Sequence, residues 1–223
     1  MRIEAKLFVH SSFDEHQAKA YLTNRRYREI QELTGISLGL IRKPLKDIVC
    51  TAVITPGNSY GVMTDGFDQG LVDAFGNELQ YRVYDMIERK HFGELNVGAA
   101  DVVAIEGKGI RYCAYAPTMR VPMSLYSDTD APYVATRAGL IALMRDERLA
   151  RLEKISVLIP LMGVGTGGLN IQYVCNQIHL AVASMAPHRP MKINRDLDYG
   201  SKLDKIIRWD FVAQTRSFES KQR

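Results

Sequence analysis

Two stretches of this chain carry residue types and spacings suited to a phosphorylated ligand. The first is Thr55-Pro56-Gly57-Asn58-Ser59-Tyr60-Gly61-Val62-Met63-Thr64-Asp65-Gly66-Phe67-Asp68. The second is Gly163-Val164-Gly165-Thr166-Gly167-Gly168. Four glycines in the six residues of the second stretch leave little side-chain bulk. Backbone N–H groups can then close around an anion, and a following helix adds the positive end of its dipole. A diphosphate is the natural guest; a flexible turn is the plain alternative. The G-x-G-x-x-G match is literal, but it follows a late strand with little chain left for the second half of a dinucleotide fold. It is not a Walker loop, because no Lys followed by Ser or Thr comes after its glycines.

In the first loop, Asn58 reads either as a ligand contact or as a hydrogen-bonding residue internal to the loop. Asp68 reads as a general base or water-orienting group, or as the N-cap of the helix it begins. Tyr60 and Phe67 are candidates for stacking on a base or ribose, and Phe67 equally for the core. Arg120 is either a phosphate contact or half of a surface ion pair. His179 falls near an apolar helix face and reads as a core histidine; His10, His16, His91 and His188 are scattered and define no metal site.

The elements that must position these loops follow from hydrophobic periodicity. Strands are expected at Ile3–Val9, Ile36–Ile41, Ile48–Thr55, Asp101–Ile105, Ile110–Ala116 and Ile155–Leu161. The runs IVCTAVIT and ISVLIPL are nearly all apolar or β-branched, as in strands buried on both faces. Helices are expected at Asp14–Leu33, Asp68–Lys90, Ala131–Arg145 and Asn170–Met185, the second with an apolar stripe at Leu71, Phe75, Leu79, Val83, Met86 and Ile87. This alternation implies a mainly parallel sheet covered on both faces, whose ligands sit beyond the carboxyl ends of its strands.

The 223 residues suit one domain plus an extension. A hydrophobic content of 46% is enough for a full core without disulfide or metal. Cys50, Cys113 and Cys175 are odd in number, far apart and in apolar contexts, which points to buried free thiols in a reducing, cytoplasmic setting. Residues 1–10 lack the apolar stretch of a signal peptide, and no apolar run approaches the length of a membrane helix. Residues 187–223 hold nine Lys/Arg against five Asp/Glu, while the remainder has 20 of each. A neutral body argues against a broad nucleic-acid surface. The basic extension has one apolar piece, Leu203–Val212 with the sole tryptophan, Trp209, which would dock either back on the body or on a protein partner.

Pro56-Gly57-Asn58 with its glycine-bearing loop, Gly93–Gly98, Ala116–Pro122 and Pro160–Gly168 together resemble the macro domain family, in particular its branch in phage and bacterial genomes. The resemblance covers roughly residues 48–186. It implies a three-layer α/β/α fold with a central mixed, mainly parallel sheet, in a macro-like domain at 1–186 followed by the extension at 187–223. It further implies binding of ADP-ribose or a related NAD-derived nucleotide, with no cofactor and no metal. Asn58 would contact the distal ribose. Asp68, ten residues on, would position or activate water near the anomeric carbon. Pro56, Gly57, Gly66 and Phe67 would complete the first loop, and Gly163, Val164, Gly165, Thr166, Gly167 and Gly168 would hold the diphosphate.

The chain departs from the family pattern in four places. It has Thr55 where hydrolytic members usually have Asn, and Thr64 and Asp65 at positions that are often Gly. The stretch Leu38-Gly39-Leu40-Ile41 holds no acid for an adenine contact, and Thr166-Gly167 lacks a stacking aromatic. Three readings therefore stay open: a hydrolase of ADP-ribosyl or O-acetyl-ADP-ribose linkages, a binding module without turnover, and a structural or interaction protein of a phage-associated assembly with a vestigial pocket.

Overall fold

The structure, a computed structural model, describes residues 2–185, the side chain of Leu33 excepted. The basic extension at 187–223, with Leu203–Val212 and Trp209, lies outside the described residues.

Six strands form one sheet: β1 (Arg2–Phe8), β2 (Gly39–Ile41), β3 (Cys50–Thr55), β4 (Asp101–Ala104), β5 (Ile110–Tyr115) and β6 (Lys154–Pro160). Their order is β2-β1-β6-β3-β5-β4. All neighbouring pairs are parallel except β4 with β5. The sheet is therefore mixed and mainly parallel, as the alternating pattern implies. All six residues of β3 are buried, because the strand is central and covered on both faces. Strand alternation divides the core: Ala52, Ile54, Val157 and Ile159 face one layer, and Val53, Cys113 and Leu158 face the other.

The first layer contains α1 (Ser12–Leu22), α2 (Arg25–Thr34), α5 (Ala131–Arg145) and α6 (Ile171–Ala183); the second contains α3 (Gly66–Phe75) and α4 (Asn77–His91). The single helix expected over Asp14–Leu33 is two. Asn24 takes the N–H of Tyr27 on its side chain and starts a new helix, and Thr23 caps the old one. The helix expected over Asp68–Lys90 is also two, divided by Gly76 at φ 92°. Only α5 has the bounds that its pattern gives. Cys50, Cys113 and Cys175 are free and buried. Burial raises all three thiols, Cys50 to about 11 and Cys175 to about 12, so they stay protonated and inert.

His179 is a core residue and ties three elements together. Its Nε2 lies 3.0 Å from the carbonyl oxygen of Ile36, so that nitrogen donates. Its Nδ1 then accepts from the Tyr21 hydroxyl at 3.1 Å, while the Tyr27 ring stacks on the imidazole at 4.6 Å. Burial lowers the His179 pKa from 6.5 to about 4. Because the folded value is depressed, the contribution is complete above pH 6.5 and is lost as pH falls from there through 4, by about 3 kcal/mol. Denaturant unfolding at pH 7 and pH 4 checks this: His179→Gln should remove most of that slope, and an unchanged slope would assign the acid lability elsewhere.

Candidate functional site

The parallel strands β1, β6, β3 and β5 send their carboxyl ends to one edge, and the connections reverse direction on either side of β6. A crevice at such a reversal is where open α/β sheets hold ligands. Both glycine-bearing loops leave the sheet at this edge, after β3 and after β6.

The loop after β3 is held against the chain leaving β5. Thr118 donates its N–H to the Gly57 carbonyl at 3.1 Å and its hydroxyl to the Pro56 carbonyl at 3.1 Å. Asn58 and Met119 form a parallel bridge. The buried Tyr115 hydroxyl donates to the Asn58 carbonyl at 2.9 Å. Gly57 lies directly on Tyr115: a Cβ there would fall 1.8 Å from the phenolic oxygen. Gly57→Ala should therefore cost about 1–3 kcal/mol through displacement of Tyr115. Denaturant unfolding measures it, and a variant of wild-type stability would show that the close approach is dispensable.

The Asn58 side chain is engaged inside its own loop. Its Oδ1 accepts from the N–H groups of Tyr60 (3.1 Å) and Val62 (3.3 Å), and its Nδ2 donates to the Val62 carbonyl at 2.9 Å. It is 7% exposed and also lines the crevice, so loop shaping and ligand contact coexist at this residue.

Asp68 is not the cap of α3. That place belongs to Asp65, whose carboxylate accepts the N–H of Gly66 at 2.8 Å. Asp68 sits in the first turn of α3, buried, and accepts a short hydrogen bond from the Thr55 hydroxyl. No cation among the described residues offsets its charge. Desolvation raises its pKa from 3.8 to about 7, although the Thr55 bond opposes the shift. A carboxyl half ionised near neutrality, at the floor of a crevice, can take or give a proton.

The loop after β6 turns through positive φ at Gly163 (77°) and Gly168 (70°). The Gly163 carbonyl accepts from Leu169, and the Gly167 carbonyl accepts from Leu125. The N–H groups of Gly165, Thr166 and Gly167 meet no acceptor among the described residues. Three successive free donors, beside the first turn of α3, form a concavity of the kind that can accept an anion. The Thr166 hydroxyl reaches across and donates to Asp65 at 3.3 Å, linking the two loops.

Two cavities flank this point. The smaller, about 160 Å³, is lined by Pro56, Gly57, Asn58, Gly66, Phe67, Asp68, Gly163, Gly165, Thr166 and Gly167, together with Thr118, Met119 and Pro122 from the loop after β5. The larger, about 1030 Å³, lies between the ends of β1 and β2 and helix α3, and is lined by Phe8, Val9, His10, Arg42, Lys43, Lys46, Gly70, Val164 and others. Gly66, Phe67, Leu161 and Gly165 line both. Phe67 is half-buried, with its ring 5.2 Å from that of Phe8, so it serves core and crevice together.

The structure thus brings together all the residues that the family resemblance assigns to the site except two. Val164 lies on the larger cavity only, and Gly168 on neither. Arg120 is the surface ion pair: it binds the Glu94 carboxylate at 2.7 Å and lies over the Tyr60 ring at 5.4 Å, and Tyr60 lines neither cavity. Among the described residues no three His, Cys, Asp or Glu side chains gather into a metal site, and no helix is long and apolar enough to cross a membrane.

The layers, strand order and crevice define a class: the fold is that of a macrodomain. Solved macrodomains share it at low identity. A mutant of the Oceanobacillus iheyensis macrodomain, solved with ADPR, is 15% identical with a TM-score of 0.54, over 74% of this chain and 91% of that one. The same macrodomain with ADP gives 15% and 0.53, over 74% and 89%. The macrodomain of Thermus aquaticus DarG is 22% identical with a TM-score of 0.50, over 65% of this chain and 89% of its own. No family model matches the sequence, and no curated protein does.

Proposed function

We infer that this chain is a macro domain protein that binds ADP-ribose or a related NAD-derived nucleotide, and that Asp68 supports hydrolysis of an ADP-ribosyl or O-acetyl-ADP-ribose linkage. The observation that carries the reading is the run of free N–H groups at Gly165, Thr166 and Gly167, at the shared edge of a small and a large cavity. That arrangement suits an elongated ligand with an anionic middle: diphosphate at the shared edge, terminal ribose beside Asn58 and Asp68, nucleoside in the larger cavity. The Oceanobacillus iheyensis macrodomain with ADPR supports it by carrying such a ligand on the same fold. Hydrolysis is supported by the buried Asp68, whose pKa of about 7 suits proton transfer near neutrality.

Isothermal titration with ADP-ribose tests the binding, with a micromolar Kd, about −8 kcal/mol, as the expected result. A folded protein that takes up no ADP-ribose would remove the assignment and leave the structural or interaction role. Release of ADP-ribose from O-acetyl-ADP-ribose tests turnover. Tight binding without release would make the chain a reader of the nucleotide.

A further inference from the structure

We propose that the larger cavity contains a second anion subsite, for a phosphomonoester on the ribose of the nucleoside half of the ligand. It rests on the binding reading above and adds the substrate class: a ribose-phosphorylated adenosine diphosphate derivative.

The cavity wall formed by the end of β1 and the chain after β2 is basic. His10, Arg42, Lys43 and Lys46 all line it. Lys43, Lys46 and His10 make no ion pair or side-chain hydrogen bond among the described residues. Arg42 is paired with Glu15 at 2.8 Å, but Glu15 also takes Lys19, so this wall keeps its positive excess. The two acids on the same cavity stand on other elements: Asp14 in the capping box of α1, and Asp73 on α3, where it accepts from the Gln69 amide. On the wall after β2 the cations outnumber the acids, and a local excess of one sign attracts a ligand group of the other.

The lysines stand on an anchored segment. Pro44 leads into a short 3-10 turn, Leu45–Asp47, and Leu45 packs against α3, where a Cβ on Gly70 would lie 3.3 Å from Leu45 Cδ1. The segment that carries the lysines is thus held against α3 rather than left as a free loop. At about 1030 Å³ the cavity is at the upper end of the roughly 300–1,000 Å³ typical of small-ligand sites, which leaves room for a nucleoside and a further phosphate. A nucleoside with a free ribose leaves these cations unanswered. Dinucleotide folds meet a ribose phosphate with a basic side chain near the ribose in the same way.

Titration of ADP-ribose and ADP-ribose 2′-phosphate into the wild type is the test, with adenosine 2′,5′-bisphosphate, adenosine 3′,5′-bisphosphate and AMP as probes of the nucleoside half alone. The phosphorylated ligands should bind at least about tenfold more tightly than their parents. The two bisphosphates tell a 2′ from a 3′ phosphate. The ratio should fall toward one in Lys43→Ala/Lys46→Ala, and shrink in high salt. Equal affinities for ADP-ribose and its 2′-phosphate, together with no gain for either bisphosphate over AMP, would overturn the subsite and leave the function above intact. Bisphosphate preference without any ADP-ribose binding would keep the subsite and remove that function. A preference that survives in a folded double variant would overturn the assignment to these lysines.

Discussion

Gly165→Glu should weaken ADP-ribose binding by at least about 100-fold, close to 3 kcal/mol, without loss of folding. The substitution has room. A Cβ at Gly165 meets nothing within 4 Å, and the backbone there is outside the left-handed region. Its neighbours are different. Gly163 sits at φ 77° with a Cβ position 2.9 Å from Leu169, and a Cβ on Gly167 would lie 2.5 Å from the Gly163 carbonyl oxygen. Substitution at either would distort the loop, and a binding defect there would say little about the ligand. At Gly165 the new carboxylate enters the shared edge of both cavities, beside the free N–H groups a diphosphate needs. Titration reads the affinity, and thermal unfolding should match the wild type within about 0.5 kcal/mol, as for a surface change. A folded variant that still binds would move the diphosphate away from this loop.

The parts of this site that are legible in the sequence are those whose chemistry is local. Four glycines in six residues after an apolar run predict a concave backbone turn whether or not the rest of the fold is known. The all-apolar β3 likewise announces a strand covered on both faces, and all six of its residues are buried. The helix breaks are harder to read. Asn24 and Gly76 interrupt sequences whose apolar period runs through them, because a cap side chain or a positive φ ends a helix without disturbing the pattern. Asp65 and Asp68 are both acids near a helix start, and only the backbone path decides that the first caps while the second goes inside. The larger cavity has no local signal at all. Its basic wall joins His10 to Arg42, Lys43 and Lys46 through the sheet, and no spacing along the chain records that meeting.

Asp68→Asn should make the protein more stable at pH 8 and silence turnover. The native carboxyl has its pKa raised from 3.8 to about 7 by burial, so the folded state holds a proton that the unfolded state has lost. The contribution of a group raised in this way is complete below 3.8 and is lost as pH rises through 7, a span of about 4 kcal/mol. A neutral amide avoids that cost and keeps an oxygen to accept from Thr55, but it buries an N–H pair that the site does not serve. The net gain at pH 8 should be about 1–3 kcal/mol and should turn into a loss of similar size near pH 4, as read by denaturant unfolding across that range. The same change removes the proton acceptor, so release of ADP-ribose should fall about 10²–10⁴-fold. Titration should still find ADP-ribose bound, because the N–H groups at Gly165, Thr166 and Gly167 are untouched. A carboxyl buried at the floor of the crevice with only the Thr55 hydroxyl against it costs stability above neutrality, and the proposed chemistry on a bound ligand would account for that cost. An Asp68→Asn variant less stable than the wild type at pH 8, with undiminished release, would instead make the Thr55–Asp68 pair a packing device.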